Sequence, residues 1–599
     1  MKALRTAPWS LSTTGAALLV VLAVVAVYSN TLRVPLVFDD TSSIANNLSI
    51  RQLWPPAFPE IGGTRGRPVA NVSFAANYVW GRNHLAGYHA VNIIIHAAAA
   101  LALFGLIRRT LRLPVIEPGL ADSADFVASS AAVLWAVHPL QTEAVTYLSQ
   151  RTESLMGLFY LTTLYCFVRG IGSPDNRRAW HGLAVLACAA GMGSKEVMVT
   201  APLVVPLYDR AFVAGGLLAA LRARLGFYLA LSGTWVVLAG LMMGMGARGV
   251  GFELGVSPAQ YALTESCAVL NYLKLALWPA PLVFDYGSHA ATSLAQVWPC
   301  VLLLAALVTA ALALLWVRPK TGFLLAWPFL LLAPTSSFVP VALQPMAEHR
   351  MYLPLAAVAV AVAVLLASLH LRKPWIVVLF FGAALGAATL QRNATYGDEI
   401  ELWRDTVKKR PANERALTNL GAALLKNNRV DEARVPLARA VELNPRNPEA
   451  LTNLGFLHAR DGKLADAIDC FERTVQLEPG LATAHYNLGC VLLKTARIAD
   501  AGKSFARAIQ LNPDYGDAHN NLGIILAAGG RFEAAVGHFS EALRVNPRDA
   551  EAYVNRAAAH LKLNHPASAR ADYQAALALR PDLADVRRQL ENLQLPAAK

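Results

Sequence analysis

Six prolines, at positions 411, 445, 479, 513, 547 and 581, stand 34 residues apart. A period that constant means that each unit is one supersecondary piece, too small to bury its own apolar face, which must stack on its neighbours. Within each interval the pattern runs Asn-Leu-Gly, an alanine, a large apolar residue, another small residue and then proline. In the third unit these are Leu488, Gly489, Ala501, Phe505, Ala508 and Pro513. The glycine lets two helices approach closely, and the proline stops the second helix before the next begins. The spacing predicts an α-solenoid of five helix pairs over 412–580, closed by a polar capping helix over 581–599. The stretch "DEIELWRDTVKKRP" reads as a lone second helix, so 393–411 is expected to connect the array to whatever precedes it.

What precedes it is of another kind. The chain is 55% hydrophobic and only 16% charged, against about 25% charged for a soluble protein. Apolar runs fall near 11–30, 90–107, 126–138, 153–171, 180–193, 197–208, 226–246, 296–317, 322–340, 351–371 and 374–391. About 20 residues cross a bilayer, so 126–138, 180–193 and 197–208 are short spans. The first run is too long, and lacks a small-x-small site, for a cleaved signal peptide led by Lys2 and Arg5. Basic residues near span ends stay cytoplasmic. The clusters Lys2/Arg5, Arg108/Arg109/Arg112, Arg169/Arg177/Arg178, Arg210/Arg222/Arg224, Arg318/Lys320 and Arg372/Lys373 alternate with the runs, and eleven spans satisfy all of them. The expected fold is therefore all-α: a polytopic bundle of about eleven spans over 1–392, N-terminus cytoplasmic, with everything after 392 outside. The net charge of +13 is then topological and calls for no nucleic-acid partner. Segment 258–279 would break the alternation as a span and is expected to lie in the outer interface as an amphipathic helix. The six cysteines (166, 188, 267, 300, 470, 490) show no CxxC and no zinc spacing, and read as small buried hydrophobes rather than disulfides.

This topology sorts the polar residues by side. Asp39 and Asp40 of "FDDTSSIANN" face outward, as do "HPLQTEAVTYLSQRTE" (138–153), "GSKE" (193–196), "LWPAPLVFDYG" (277–287) and "PTSSFVPVALQPMAEHRMYLP" (334–354). Ionisable side chains at membrane depth are expensive and usually line a working cavity. The segment with Glu348, His349 and Arg350 enters a span with no loop to solvate it. His89 and His96, seven apart on one helical face, read as satisfied core histidines. The triplets opened by Asn47, Asn71 and Asn393 carry no assignment.

Seven stretches taken in order, "FDD", "YHAVNIIIHAAAALALF", "AVHPLQTEAVTYLSQRTE", "SKEVMVTAPLVVPLYD", "LKLALWPAPLVFDYG", "AEHRMYLP" and "RNATYGDEIELWRD" leading into 34-residue repeats, resemble the transmembrane-and-tetratricopeptide-repeat O-mannosyltransferase family. More widely, they resemble the polytopic GT-C glycosyltransferases that use lipid phosphosugars. The resemblance implies a membrane glycosyltransferase that takes a sugar, mannose by family, from a polyprenyl or dolichyl phosphate. The acceptors it implies are hydroxyls of proteins outside the cytoplasm (or in the lumen of the endoplasmic reticulum), with the acceptor chain held in the repeats. It also implies that the acidic pair after the first span acts as base or binds a metal; whether a divalent ion is needed stays open.

A sugar phosphate already carries a good leaving group, so the reaction needs a carboxylate to take the acceptor proton and cations for the departing phosphate. Asp39 and Asp40 are the catalytic candidates; they could instead cap a helix, or repel one another and so raise one pKa. Arg151, Lys195 and Arg350 are candidates for the phosphate, assisted by His138 and His349, with Glu143, Glu196 and Glu348 in the same set. Glu143 is the next choice of base. The competing assignments are buried pairs, Arg151 with Glu153, Arg350 with Glu348 and Lys195 with Glu196. Asp285 either positions substrate or makes a turn. Asn419, Asn453, Asn487, Asn521 and Asn555 recur at one position of each first helix, as an amide ladder for an extended peptide or as plain repeat consensus. Two other functions compete: a membrane-anchored repeat scaffold without catalysis, and a transporter.

Overall fold

The computed structural model describes residues 12–59, 63–243, 257–288, 291–336, 344–369 and 371–593. The N-terminal basic pair Lys2/Arg5 and parts of the runs 226–246 and 322–340 lie outside the described residues. The chain divides into two compact units, Met1–Asn413 and Glu414–Lys599. Among the described residues there is no strand.

Each of the eleven apolar runs overlaps, in its described part, a helix of the first unit. Seven are long and apolar enough to cross a membrane: Thr13–Arg33, Leu85–Leu111, Leu148–Ile171, Glu196–Ala214, Leu217–Met243, Leu294–Val317 and Pro374–Thr395. Three more, Ala124–Ala136, Pro319–Leu332 and Leu355–Ser368, are apolar and shorter, and the remaining run is the 16-residue helix Arg177–Met192. Lipid offers no hydrogen bonds, so apolar segments of this kind must satisfy their backbones internally, as a helix does. The protein is an integral membrane protein on this ground. Segment 258–279 forms the helix Pro258–Leu277, started by a capping box at Ser257 and Gln260.

The unit is organised around a buried aromatic knot. His96 lies between Tyr352 and Ala136: its Nε2–H donates to the Ala136 carbonyl at 3.0 Å, which leaves Nδ1 to accept from the Tyr352 hydroxyl at 2.9 Å. The Trp135 indole N–H donates to the Tyr352 carbonyl (2.8 Å) and that of Trp327 to the Leu353 carbonyl (2.9 Å). The Tyr352 ring lies where a Cβ on Gly157 would stand, so only glycine admits this close approach. His89 donates through Nε2 to the Val34 carbonyl at 3.0 Å. His96 is a satisfied core residue, whereas His89 is buried with only Nε2 bonded, its Nδ1 having no partner among the described residues.

One expectation fails here. Cys267 and Cys300 are joined by a disulfide between the helices Pro258–Leu277 and Leu294–Val317. The two cysteines sit in separate apolar segments 33 residues apart, a spacing with no local signature. Cys166, Cys188 and Cys470 are buried free thiols, as expected of small hydrophobes, and Cys490 is half-buried.

The second unit holds five antiparallel helix pairs, beginning with Glu414–Lys426 and Val430–Leu443 and ending with Ala550–Lys562 and Pro566–Leu579, followed by the single helix Ala584–Asn592. The repeat chemistry is visible in contacts. A Cβ on Gly455, Gly489 or Gly523 would come within 3.0, 2.7 and 2.6 Å of Phe471, Phe505 and Phe539, sixteen residues on, and one on Gly421 would collide with Leu437. The turn inside each helix pair has one residue at positive φ, again 34 apart: Asn428, Gly462, Ala496, Gly530 and Asn564. In the fifth pair the Leu-Gly step is replaced by Arg556-Ala557. Arg556 compensates by a two-pronged ion pair to Asp572, at 2.9 and 2.7 Å.

Candidate active site

The chain leaves its first span through a backbone that only a well-packed surrounding would hold. Phe38 has φ +46°, the left-handed region that bulky residues avoid, at a cost of about 1–3 kcal/mol. Its ring is held edge-on against Trp403 (5.5 Å) and Phe284 (6.3 Å). Phe284 in turn meets Tyr147, Tyr396 and Trp403 at 5.4, 5.6 and 5.2 Å. Four stretches distant in sequence, "FDD", "TYLSQ", "LVFDYG" and "DEIELWRD", thus converge on the acidic pair. The helix Glu399–Lys409, expected as a connector, belongs by these contacts to the membrane unit.

The turn separates the two aspartates. Asp40 is 1% exposed, and its carboxylate accepts from the backbone N–H groups of Ser149 (2.7 Å) and Val37 (3.2 Å). Asp39 is exposed, and its backbone N–H donates to the Tyr147 hydroxyl at 3.0 Å. Burial pushes the Asp40 carboxyl up to about 7; the two amide donors pull against this, and the Asp39 charge adds a smaller upward push. Desolvation rather than repulsion between the two acids is therefore the main perturbation. Helix capping is not the role of the Asp40 side chain, which makes no cap bond to the short helix that follows it.

Behind this turn lies a buried ionic cluster. Glu143 accepts from the His349 backbone N–H at 2.9 Å and pairs with its Nδ1 at 2.8 Å. Burial lifts Glu143 to about 7, against the pull of the His349 amide, Arg392 and Lys195, and it pushes His349 well below its usual value, with Lys195 adding to the effect. Lys195 binds Glu153 at 2.7 Å and also reaches Gln150 at 3.4 Å. Glu196, expected beside Lys195, instead accepts from one Arg67 nitrogen, Nη2, at both carboxylate oxygens, 3.1 and 3.0 Å away. Glu348 accepts from the Val283 N–H and the Tyr286 hydroxyl, and stands 3.8 Å from Arg392. Burial lifts it to about 7 as well.

Three expected phosphate ligands are otherwise engaged. Arg151 is fully buried, and it pairs with neutral groups rather than with Glu153: Asn92 and Asn77 (2.6 Å each) and the Tyr88 carbonyl (2.8 Å), with the guanidinium 4.2 Å from the centre of the Phe74 ring. Its full burial leaves no exposed face for a ligand. Arg350 is tied to the carbonyls of Pro345 (2.7 Å) and Gln344 (2.6 Å), with Glu265 rather than Glu348 as its ionic partner at 3.6 Å. His138 accepts from Leu140 N–H and bonds the Ala276 backbone, and burial lowers it to about 4, so it is a neutral tie between a loop and the helix Pro258–Leu277. Asp285 makes a turn: Oδ1 accepts from Gly287 N–H at 2.7 Å and from Asn413 at 3.1 Å.

The repeat asparagines are all half-buried. Asn419 donates to its own helix at Arg415, Asn521 approaches the Cys490 sulfur at 3.9 Å, and Asn555 donates to Asn520 at 3.1 Å. Among the described residues no three His, Cys, Asp or Glu side chains gather as a metal site.

Sequence reasoning missed Arg392, Arg67, Tyr147 and Tyr286. Arg392 had a signal. The charge alternation expects no basic residue at that end of the span, and Arg392 is held there by carboxylates, Glu348 (3.8 Å) and Asp405 (3.1 Å).

Tetratricopeptide-repeat models match residues 400–440 and 486–544, 448–481 and 550–583, and 525–564. Over 436 residues the chain is 25% identical to a protein O-mannosyl-transferase of Caenorhabditis elegans, covering 68% of this chain and 60% of that one. It is 30% identical over 212 residues to protein O-mannosyl-transferase TMTC3 of Homo sapiens (33% and 22% covered), and 30% identical over 298 residues to Tmtc2 of Drosophila melanogaster (45% and 30% covered). The chain thus spans between about a fifth and three fifths of these relatives' lengths. It is a membrane protein with C-terminal tetratricopeptide repeats, similar in sequence to the protein O-mannosyl-transferases.

Proposed function

We propose that this protein is a membrane glycosyltransferase that moves a sugar, mannose by the names of its relatives, from a polyprenyl-type lipid phosphate to hydroxyl groups of proteins outside the cytoplasm. The observation that carries the reading is the split acidic pair. Asp40 is locked into the backbone of two loops, and it holds the neighbouring, exposed Asp39 at the mouth of the first span, beside a wall of aromatic rings. In the reaction Asp39 takes the proton of the acceptor hydroxyl as that oxygen bonds the anomeric carbon. The anomeric C–O bond to phosphate breaks, and the lipid phosphate leaves with the bonding pair. Lys195 has donor capacity beyond Glu153 and Gln150, and it is the cation of the original set best able to meet that phosphate. The Cys267–Cys300 disulfide supports placing the helix Pro258–Leu277 on an oxidising side, in line with the charge alternation. The repeats then hang on the acceptor's side and hold it as an extended chain.

The test compares glycopeptides from cells making the parent, Asp39→Asn, Asp40→Asn or no protein. Asp39→Asn, at normal membrane levels, is expected to lose about 100-fold or more of transfer, and Asp40→Asn to lose both activity and protein. Parent-level glycopeptides from Asp39→Asn would move the base elsewhere, with Glu143 next. A parent indistinguishable from cells without the protein would leave a repeat scaffold.

A further inference from the structure

At the far end of the bundle from Asp39 lies a second feature that transfer chemistry does not use. A cleft of about 480 Å³ opens between the helices Leu85–Leu111, Glu196–Ala214, Pro319–Leu332 and Leu355–Ser368. Its walls are apolar, and they include the large side chains of Leu103, Phe212 and Trp327 and the small ones of Ala357 and Ala361. Its polar groups are Thr110, Tyr208, Lys320, Thr321 and Ser368. Thr110 and Tyr208 bond each other, and Ser368 bonds the Val364 carbonyl (2.9 Å). Among the described residues Lys320 has one partner, the Val115 carbonyl, for three donors.

An apolar cleft between membrane helices holds no water network, and at that depth hydrocarbon is the available filler. The same helix that meets Val34 through His89 lines this cleft at Thr110. Those positions are 21 residues apart, or about 32 Å along a helix, so the cleft belongs to the opposite leaflet from the acidic pair. Exposed Arg318 flanks Lys320, and exposed Arg372 and Lys373 follow Ser368. The acids nearest in sequence to the lining residues are Glu117 and Asp122, which are exposed, Asp125, already held by Arg108 and Arg112, and buried Asp209, held by Arg224 and Tyr228. The balance at the mouth is cationic.

We propose that this cleft binds one anionic glycerophospholipid of the leaflet opposite Asp39, with an acyl chain in the slot and the phosphate at Lys320. The site is distinct from the donor site and does not depend on the transferase reading. A lipid there would fill the space left between four helices, and so act as part of the fold.

The experiment is native mass spectrometry of the full chain released from nanodiscs of phosphatidylcholine with an equal share of phosphatidylglycerol. The parent is expected to retain phosphatidylglycerol over phosphatidylcholine by severalfold. Lys320→Gln, a change at the cleft's mouth, is expected to cut that preference about fivefold, the worth of one cation at an anionic surface. Ala361→Phe fills the slot and is expected to abolish the adduct, while Ala383→Phe, in a separate groove lined by Trp375 and Leu379, leaves it intact. If Ala361→Phe does not accumulate, Lys320→Gln decides. Equal retention of the two lipids by the parent, or an unchanged preference in Lys320→Gln, overturns the proposal. So does displacement of phosphatidylglycerol by equimolar polyprenyl phosphate, which would make the cleft a second place for that lipid.

Discussion

Arg556 and Asp572 give the repeat unit an internal experiment. The third repeat has Leu488 and Ser504 where the fifth has Arg556 and Asp572. The Asp572 side chain is 8% exposed and that of Arg556 is 22%, and Arg556 also donates to Ser540 at 3.0 Å. Breaking a fully buried pair by removing one partner costs about 3–5 kcal/mol. The partial exposure of Arg556 lets water reach the site, so Arg556→Leu, which strands the carboxylate, is expected to cost about 2 kcal/mol. Asp572→Ser leaves an arginine that can turn to solvent and is expected to cost about 1 kcal/mol. The double variant rebuilds the third repeat's pair and is expected to lie within about 0.5 kcal/mol of the parent, a coupling of about 2.5–3.5 kcal/mol. Urea titration of residues 414–599, followed by far-ultraviolet circular dichroism, measures all four. Additive single effects would mean that the two side chains do not depend on each other, and the compensation argument would fall.

Three further outcomes follow from particular residues. Ala496 holds the left-handed turn position (φ +57°) that the other repeats give to Gly or Asn, so Ala496→Gly is expected to stabilise the same unit by about 1 kcal/mol; a loss of stability would contradict the strain. Burial lifts Glu143 from 4.5 to about 7 in the fold. The folded state therefore holds its proton more tightly than the unfolded chain, and the cost of ionising it grows as pH rises between those values. Thermal unfolding in detergent should show Glu143→Gln gaining on the parent from pH 5 to pH 8, and a difference independent of pH would refute the assignment. Replacing Asn453, Asn487 and Asn521 by Ala is expected to weaken transfer to a full acceptor protein and spare a short peptide at saturating donor. Equal loss on both would make the array a support for the membrane body, and no loss on either would reduce the ladder to repeat consensus.

What was legible in the sequence was whatever repeats or alternates. The prolines gave the solenoid, the glycines its helix contacts, and every apolar run overlaps a helix in its described part. The site was legible only as a set of neighbours. That Asp40 rather than Asp39 is buried depends on an amide 109 residues away, and the partner of Glu143 lies 206 residues on. Such pairings leave no periodicity. Arg151 misled because a charged residue suggests a charged partner, whereas here two asparagines, a carbonyl and a ring share its charge. Arg350 misled in the same way, since its carboxylate comes from Glu265 on another helix and not from the adjacent Glu348.

The Cys267–Cys300 bond also changes what cutting the chain would do. The backbone from 267 to 300 and the disulfide together form a closed ring, so a protease that nicks the connection after Leu277 severs the backbone without releasing either side. Nicked protein would keep both fragments on a non-reducing gel and part into two only with reductant. Limited proteolysis scored without that pair of lanes would take a cut in this connection for resistance.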